Sequence, residues 1–134
     1  MSSALQSRLS GKIDFDSYIK ITKESMVTLG VSRYPSFRHS LTKPDTYSRL
    51  RDIEAPMLGA CYLTEYTAGL EELYDLGSEI ETYSNVEEMA QKIEKLQKDK
   101  QLRLQLRNMG QKRALSEHSI ANSLAKIKLQ LNIK

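Results

Sequence analysis

Apolar and polar positions along this chain switch repeatedly between a helical and an extended period. Residues 14–24, DFDSYIKITKE, follow the turn residues Ser10 and Gly11 and place Phe15, Tyr18, Ile19 and Thr22 on one side at helical spacing. Residues 26–32 (MVTLGVS), 60–65 (ACYLTE) and 79–83 (EIETY) predict three strands. Residues 34–45 hold two of the three prolines and predict a loop. A helix is expected over 47–58. Pro56 removes one bond of its ladder, so this helix is short, kinked or shifted. Gly59 ends it, and AGLEELY adds a helical turn after the second strand. Ser84 and Glu87 have the spacing of a capping box, opening a helix with Val86, Met89, Ala90, Ile93 and Leu96 on one face. Further helices are expected over 100–115 and 119–131. The order α, β, α, β, α, β, then helices, predicts a parallel sheet with crossover helices.

One position breaks the pattern. On a wheel of about 100° per residue, Glu54 falls inside the apolar face formed by Tyr47, Leu50, Ile53, Met57 and Leu58. A carboxylate turned inward costs free energy unless something pairs with it.

The 134 residues suffice for one domain, and 40% are hydrophobic, so a core can form. No run of about 18 apolar residues exists to span a membrane, and the first twelve residues lack the apolar middle of a secretory signal. The lone Cys61 excludes a disulfide within the chain and reads as a small core residue in a cytoplasmic protein. The net charge is +3, yet residues 101–134 carry seven Lys or Arg against one acid, Glu117. That is either a footprint for an acidic partner or a solvated helix face. No aromatic residue interleaves with these charges, which argues against nucleic acid. His39 and His118 stand far apart and read as surface or loop residues, so no metal site is expected. No cofactor is called for, and no phosphate loop of the P-loop type occurs. Met26, Met57, Met89 and Met109 read as core filler.

The stretch RDIEAPMLGACYLTEY, followed by LEELYDLGSEIETYSNVEEMAQKI, resembles the C-terminal part of CgeB-like glycosyltransferases, within the group-1 enzymes of the GT-B fold. The matching positions are Arg51, Ile53 in place of an aromatic, Glu54, Pro56, Gly59, Leu63, Leu70, Glu71, Glu72, Leu73, Tyr74, Gly77, Glu79 and Ile80. SYIKITKESMVTLGVSR also looks like the preceding helix and strand, so the likeness spans about residues 13–124. It implies a partial Rossmann-like α/β domain that holds a nucleotide-sugar donor. Glu54 then maps onto the acid that binds ribose hydroxyls; the alternative is a structural acid paired with Arg49 or Arg51. An ionised carboxylate is acceptor-only and can take two vicinal hydroxyls. Arg51 faces the diphosphate or is a plain ion-pair partner. A helix start near Thr46 to Ser48 would add backbone N–H groups, and Tyr66 and Thr67, after the second strand, would line the pocket. Glu71 and Glu72 read as a solvated first turn.

Two departures qualify the likeness. Many group-1 enzymes carry a second acid eight residues before the ribose acid, and that position here is Thr46. A GT-B enzyme also needs two Rossmann-like domains, with the acceptor between them. The expectation is therefore one truncated donor-binding domain, 1–134, with 1–12 disordered, whose acceptor side comes from a second chain. The catalytic residues stay unassigned. The alternative is a non-catalytic binding or assembly module derived from such a domain. In the family's sheet order the strand at 26–32 would pair with an earlier strand. Lacking it, that strand becomes an open edge, and a homo-oligomer is expected.

Overall fold

The computed structural model describes residues 11–34, 45, 46, 48 and 50–132. Their elements, in chain order, are α1 (Phe15–Glu24), β1 (Thr28–Gly30), β2 (Arg33–Tyr34), β3 (Asp45–Thr46), α2 (Arg51–Met57), β4 (Tyr62–Glu65), α3 (Leu70–Leu73), β5 (Glu81–Tyr83), α4 (Val86–Lys98), α5 (Lys100–Glu117) and α6 (Ile120–Gln130). The expected disorder of 1–12 and the interior of the expected loop fall largely outside the described residues, as does His39. The ends of that loop are not irregular: Arg33 pairs with Thr46 and Tyr34 with Asp45 in a short antiparallel ladder.

The main sheet has the order β1-β4-β5, and both pairings are parallel. The parallel α/β architecture expected from the alternating pattern is therefore present, as a partial Rossmann-like unit. Each strand is shorter than the run expected for it. β4 lies between the other two strands, and all four of its residues are buried. Leu63 and Cys61 enter one core with Tyr83, Leu96 and Leu106. Tyr62 and Ala60 enter the other with Ala55, Leu70, Tyr74, Ile80 and Ala114. This is the period-two alternation of a strand covered on both faces. α5 serves both cores, through Leu106 and Ala114. Its Gly110 lies against the Glu79 carbonyl where a Cβ would overlap. Each fully buried leucine of this kind contributes about 1.5–3 kcal/mol.

The helix ends are set by side chains. Asp14 caps α1 by accepting from the Ser17 N–H at 2.8 Å. The cap of α4 is Asn85, not Ser84. Asn85 accepts from Glu88 N–H at 2.8 Å, while the Glu88 carboxylate accepts from the Ser84 N–H at 2.8 Å. The capping pair is thus shifted by one residue from Ser84 and Glu87, because Asn85 is the last extended residue. Val86 and Ala90 of α4 are exposed; Met89, Ile93 and Leu96 carry its contact with the core. Met57 and Met89 pack on the cores, whereas Met26 and Met109 are exposed.

Three of the C-terminal arginines are internal ties. Arg107 donates to the carbonyls of Lys23, Ser25 and Gly59. Arg103 donates to those of Leu96 and Gln97. Arg113 donates to the Leu73 carbonyl at 3.0 Å and pairs with Glu117. The basic excess at this end is therefore spent partly on carbonyl groups at the ends of neighbouring segments. His118, in the bend between α5 and α6, is a loop residue as expected; it is half-buried and packs edge-on against Tyr74, with ring centroids 5.1 Å apart.

Candidate functional site

α2 is short because its surroundings stop it at both ends. The β2–β3 ladder occupies the chain at Thr46, so the helix begins at Arg51 and not near Thr46 as expected. No helix N-terminus forms at Thr46, and its backbone serves strand pairing instead. At the other end Pro56 withholds one ladder donor, and Gly59, at φ 78°, turns the chain so that Ala60 N–H reaches the Ala55 carbonyl at 3.0 Å.

The inward acid of α2 is Asp52. It is 1% exposed, whereas Glu54 is half-buried. The helix buries Asp52, Ala55 and Pro56, and Leu50 of the expected apolar face is 77% exposed. Three hydroxyls compensate Asp52: Tyr62 donates to Oδ1 at 2.7 Å, Thr64 to Oδ1 at 3.2 Å and Ser48 to Oδ2 at 3.0 Å. Burial and the adjacent Asp52 carboxylate push the Tyr62 phenol well above its ordinary value, so it stays a donor.

Above this cluster lies a cavity of about 310 Å³. It is lined by Val31 and Ser32, just past the carboxyl end of β1, by Leu50, Arg51, Asp52 and Glu54 of α2 and its lead-in, and by Tyr62. Open parallel sheets bind ligands at that end of their strands. The cavity is small for a ligand site but within the usual range. Glu65, at the carboxyl end of β4, holds the rim: it accepts from Ser32 N–H at 3.3 Å and from Arg33 Nε at 2.6 Å. Among the described residues no ion pair joins Glu54 to Arg51; Glu54 Oε2 accepts from the Tyr18 hydroxyl of α1 at 3.0 Å. Arg49 lies outside the described residues.

Of the residues singled out from the sequence, Glu54 and Arg51 share this cavity. Tyr66 and Thr67 do not line it. Tyr66 is exposed and donates to Glu71 Oε1 at 3.2 Å; Thr67 is buried, with its hydroxyl unpartnered among the described residues. Glu71 and Glu72 are exposed at the first turn of α3, as expected. Sequence reasoning missed Asp52, Ser32, Tyr18 and Tyr62. The signal for Asp52 was the pair Tyr62 and Thr64, two hydroxyls two residues apart on one face of a buried strand. Glu54 also borders a second, apolar groove of about 580 Å³ between Leu50, Ile53 and Met57 of α2 and its lead-in and Ile120 and Leu124 of α6. Among the described residues no cluster of His, Cys, Asp or Glu could hold a metal ion, and no helix is long and apolar enough to cross a membrane.

Comparison with known proteins places the chain in a family. No curated protein and no solved structure matches the chain. The model of a family described as glycosyl transferase-like matches residues 4–128, which contain the whole sheet, α2 and the cavity. The chain belongs to the glycosyl transferase-like family.

Proposed function

We propose that this domain holds the nucleotide half of a nucleotide-sugar donor, as in CgeB-like enzymes, and serves sugar transfer when a second domain or chain supplies the acceptor. The observation that carries the reading is the shared wall of Arg51 and Glu54 in a cavity at the carboxyl end of a parallel strand. In this reading Glu54 accepts the two ribose hydroxyls and Arg51 meets the diphosphate. A volume of about 310 Å³ suits part of a nucleotide, with the sugar directed outward. Tyr66 and Thr67, which do not line the cavity, are given no role in this reading. Self-association through the open side of β1 accompanies this reading, since the described residues pair β1 on one side only.

Titration calorimetry with uridine, guanosine, adenosine and thymidine diphosphates tests the proposal. At least one should bind, and Glu54→Ala should weaken it by about 2–3 kcal/mol, the worth of two charge-assisted hydrogen bonds. Circular dichroism should show the variant folded. A folded wild-type chain that binds none of the four would instead favour a non-catalytic binding or assembly module.

A further inference from the structure

The contact between Tyr18 and Glu54 joins α1 to α2 across 36 residues of sequence. Tyr18 is half-buried, so water could satisfy its hydroxyl. It donates instead to one oxygen of a carboxylate that borders the cavity. A free glutamate side chain samples many rotamers, and a hydrogen bond to Oε2 holds the carboxylate in one orientation. An ionised carboxylate offers about four lone-pair sites. Tyr18 takes one. Both sites on Oε1 and one on Oε2 remain, enough for the two donors of a pair of vicinal hydroxyls.

We propose that Tyr18 is a positioning residue for nucleotide recognition: it orients Glu54 toward both ribose hydroxyls and so sets a preference for ribonucleotides over 2′-deoxyribonucleotides. This inference rests on the nucleotide reading of the cavity. Tyr18 does not line the cavity and acts only through Glu54. Burial, and secondarily the bond to Glu54, raises the phenol above its ordinary value, so it remains a donor at neutral pH.

The test measures dissociation constants for uridine, guanosine and adenosine diphosphates and their 2′-deoxy counterparts. The proteins are the wild type, Tyr18→Phe, Glu54→Gln and the double variant, each with its melting temperature. The wild type should prefer the ribose form. Tyr18→Phe should weaken ribose-form binding about fivefold through lost preorganisation and change 2′-deoxy binding less than about twofold. In the Glu54→Gln background the same change should add nothing. Equal weakening of both forms together with a lower melting temperature would mark Tyr18 as merely structural and overturn the inference. An intact ribose preference in Tyr18→Phe, alongside its loss in Glu54→Gln, would overturn the inference and leave the cavity reading standing. A wild type that binds no diphosphate, or a Glu54→Gln variant that binds like the wild type, would remove the cavity reading and the inference together.

Discussion

The Tyr62 hydroxyl occupies the space that a Gly30 side chain would need. The two residues lie on neighbouring parallel strands, and a Cβ on Gly30 would overlap both that hydroxyl and the Thr64 side chain. Both hydroxyls are held by Asp52, so neither can swing away without losing a hydrogen bond. Gly30→Ala should therefore destabilise the fold by about 1–3 kcal/mol, the usual cost of overpacking. The cost should be smaller in a Tyr62→Phe background. Urea midpoints of the four proteins check it, and an unshifted midpoint for Gly30→Ala would refute the overlap.

Arg107 ties the end of α1 to the turn after α2. Its guanidinium donates to three backbone carbonyls, and hydrogen bonds to a charged donor are worth more than neutral ones. Arg107→Met should cost about 1.5–3 kcal/mol in urea unfolding. Lys112→Met, five residues further on and exposed, should stay within about 0.5 kcal/mol. Equal effects would return Arg107 to the solvated face that its charge alone suggested.

The cap of α4 gives a paired comparison. Asn85→Ala should lower stability by about 1 kcal/mol. Ser84→Ala should change little, because Ser84 contributes its backbone N–H, which alanine also carries. Thermal melts of the two variants decide the matter. A larger loss at Ser84 would move the cap back by one residue.

Burial pushes the Cys61 thiol up from 9.0 to about 11. The folded state favours the neutral thiol, so its contribution is fully present below pH 9. It is lost as the pH rises through about 11. Melting temperature should fall over that window, and Cys61→Ala should flatten the fall. In native protein near neutral pH, Cys61 should resist a thiol reagent that labels the urea-unfolded chain at once. Rapid labelling of the native chain would contradict its burial.

β1 has a free side among the described residues, and Met26, Leu29 and Val31 along it are exposed. Backbone donors and acceptors in a row, flanked by apolar side chains, favour pairing with a second copy. Light scattering at micromolar concentration should give a mass above 15.3 kDa. Val31→Lys should shift the population toward monomer. A monomer at every concentration, with no dye binding to apolar surface, would rule out pairing at this edge.

The element order and the parallel sheet were legible because the strand runs and helix faces are long enough to fix their period. The site was half legible. The wheel over 47–58 identified an acid facing inward but named Glu54. Leu50, Ile53 and Met57 gave the larger apolar face, whereas packing selected Asp52, Ala55 and Pro56. Ala55 and Pro56 are small, and a Cβ on Gly110 would stand 3.7 Å from Pro56 Cβ, so α5 can approach closely on that side. Asp52 tolerates burial through hydroxyls 4, 10 and 12 residues away, a pairing that the apolar period of 47–58 does not encode. The start of α2 was misplaced for a similar reason. The β2–β3 ladder is set by tertiary pairing of two dipeptides, too short to leave a periodic trace.

α6 contributes no buried residue, and Ile120 and Leu129 are more than four-fifths exposed. β4 is buried along its whole length. The two elements therefore differ in how their amides meet solvent deuterium. Backbone amides of α6 can exchange when that helix alone opens, on a timescale set by a small local free energy. Amides of Leu63 and Thr64 exchange only when the sheet itself comes apart, and their protection reports the stability of the whole domain. Denaturant would accelerate the second set steeply and leave the first almost unchanged.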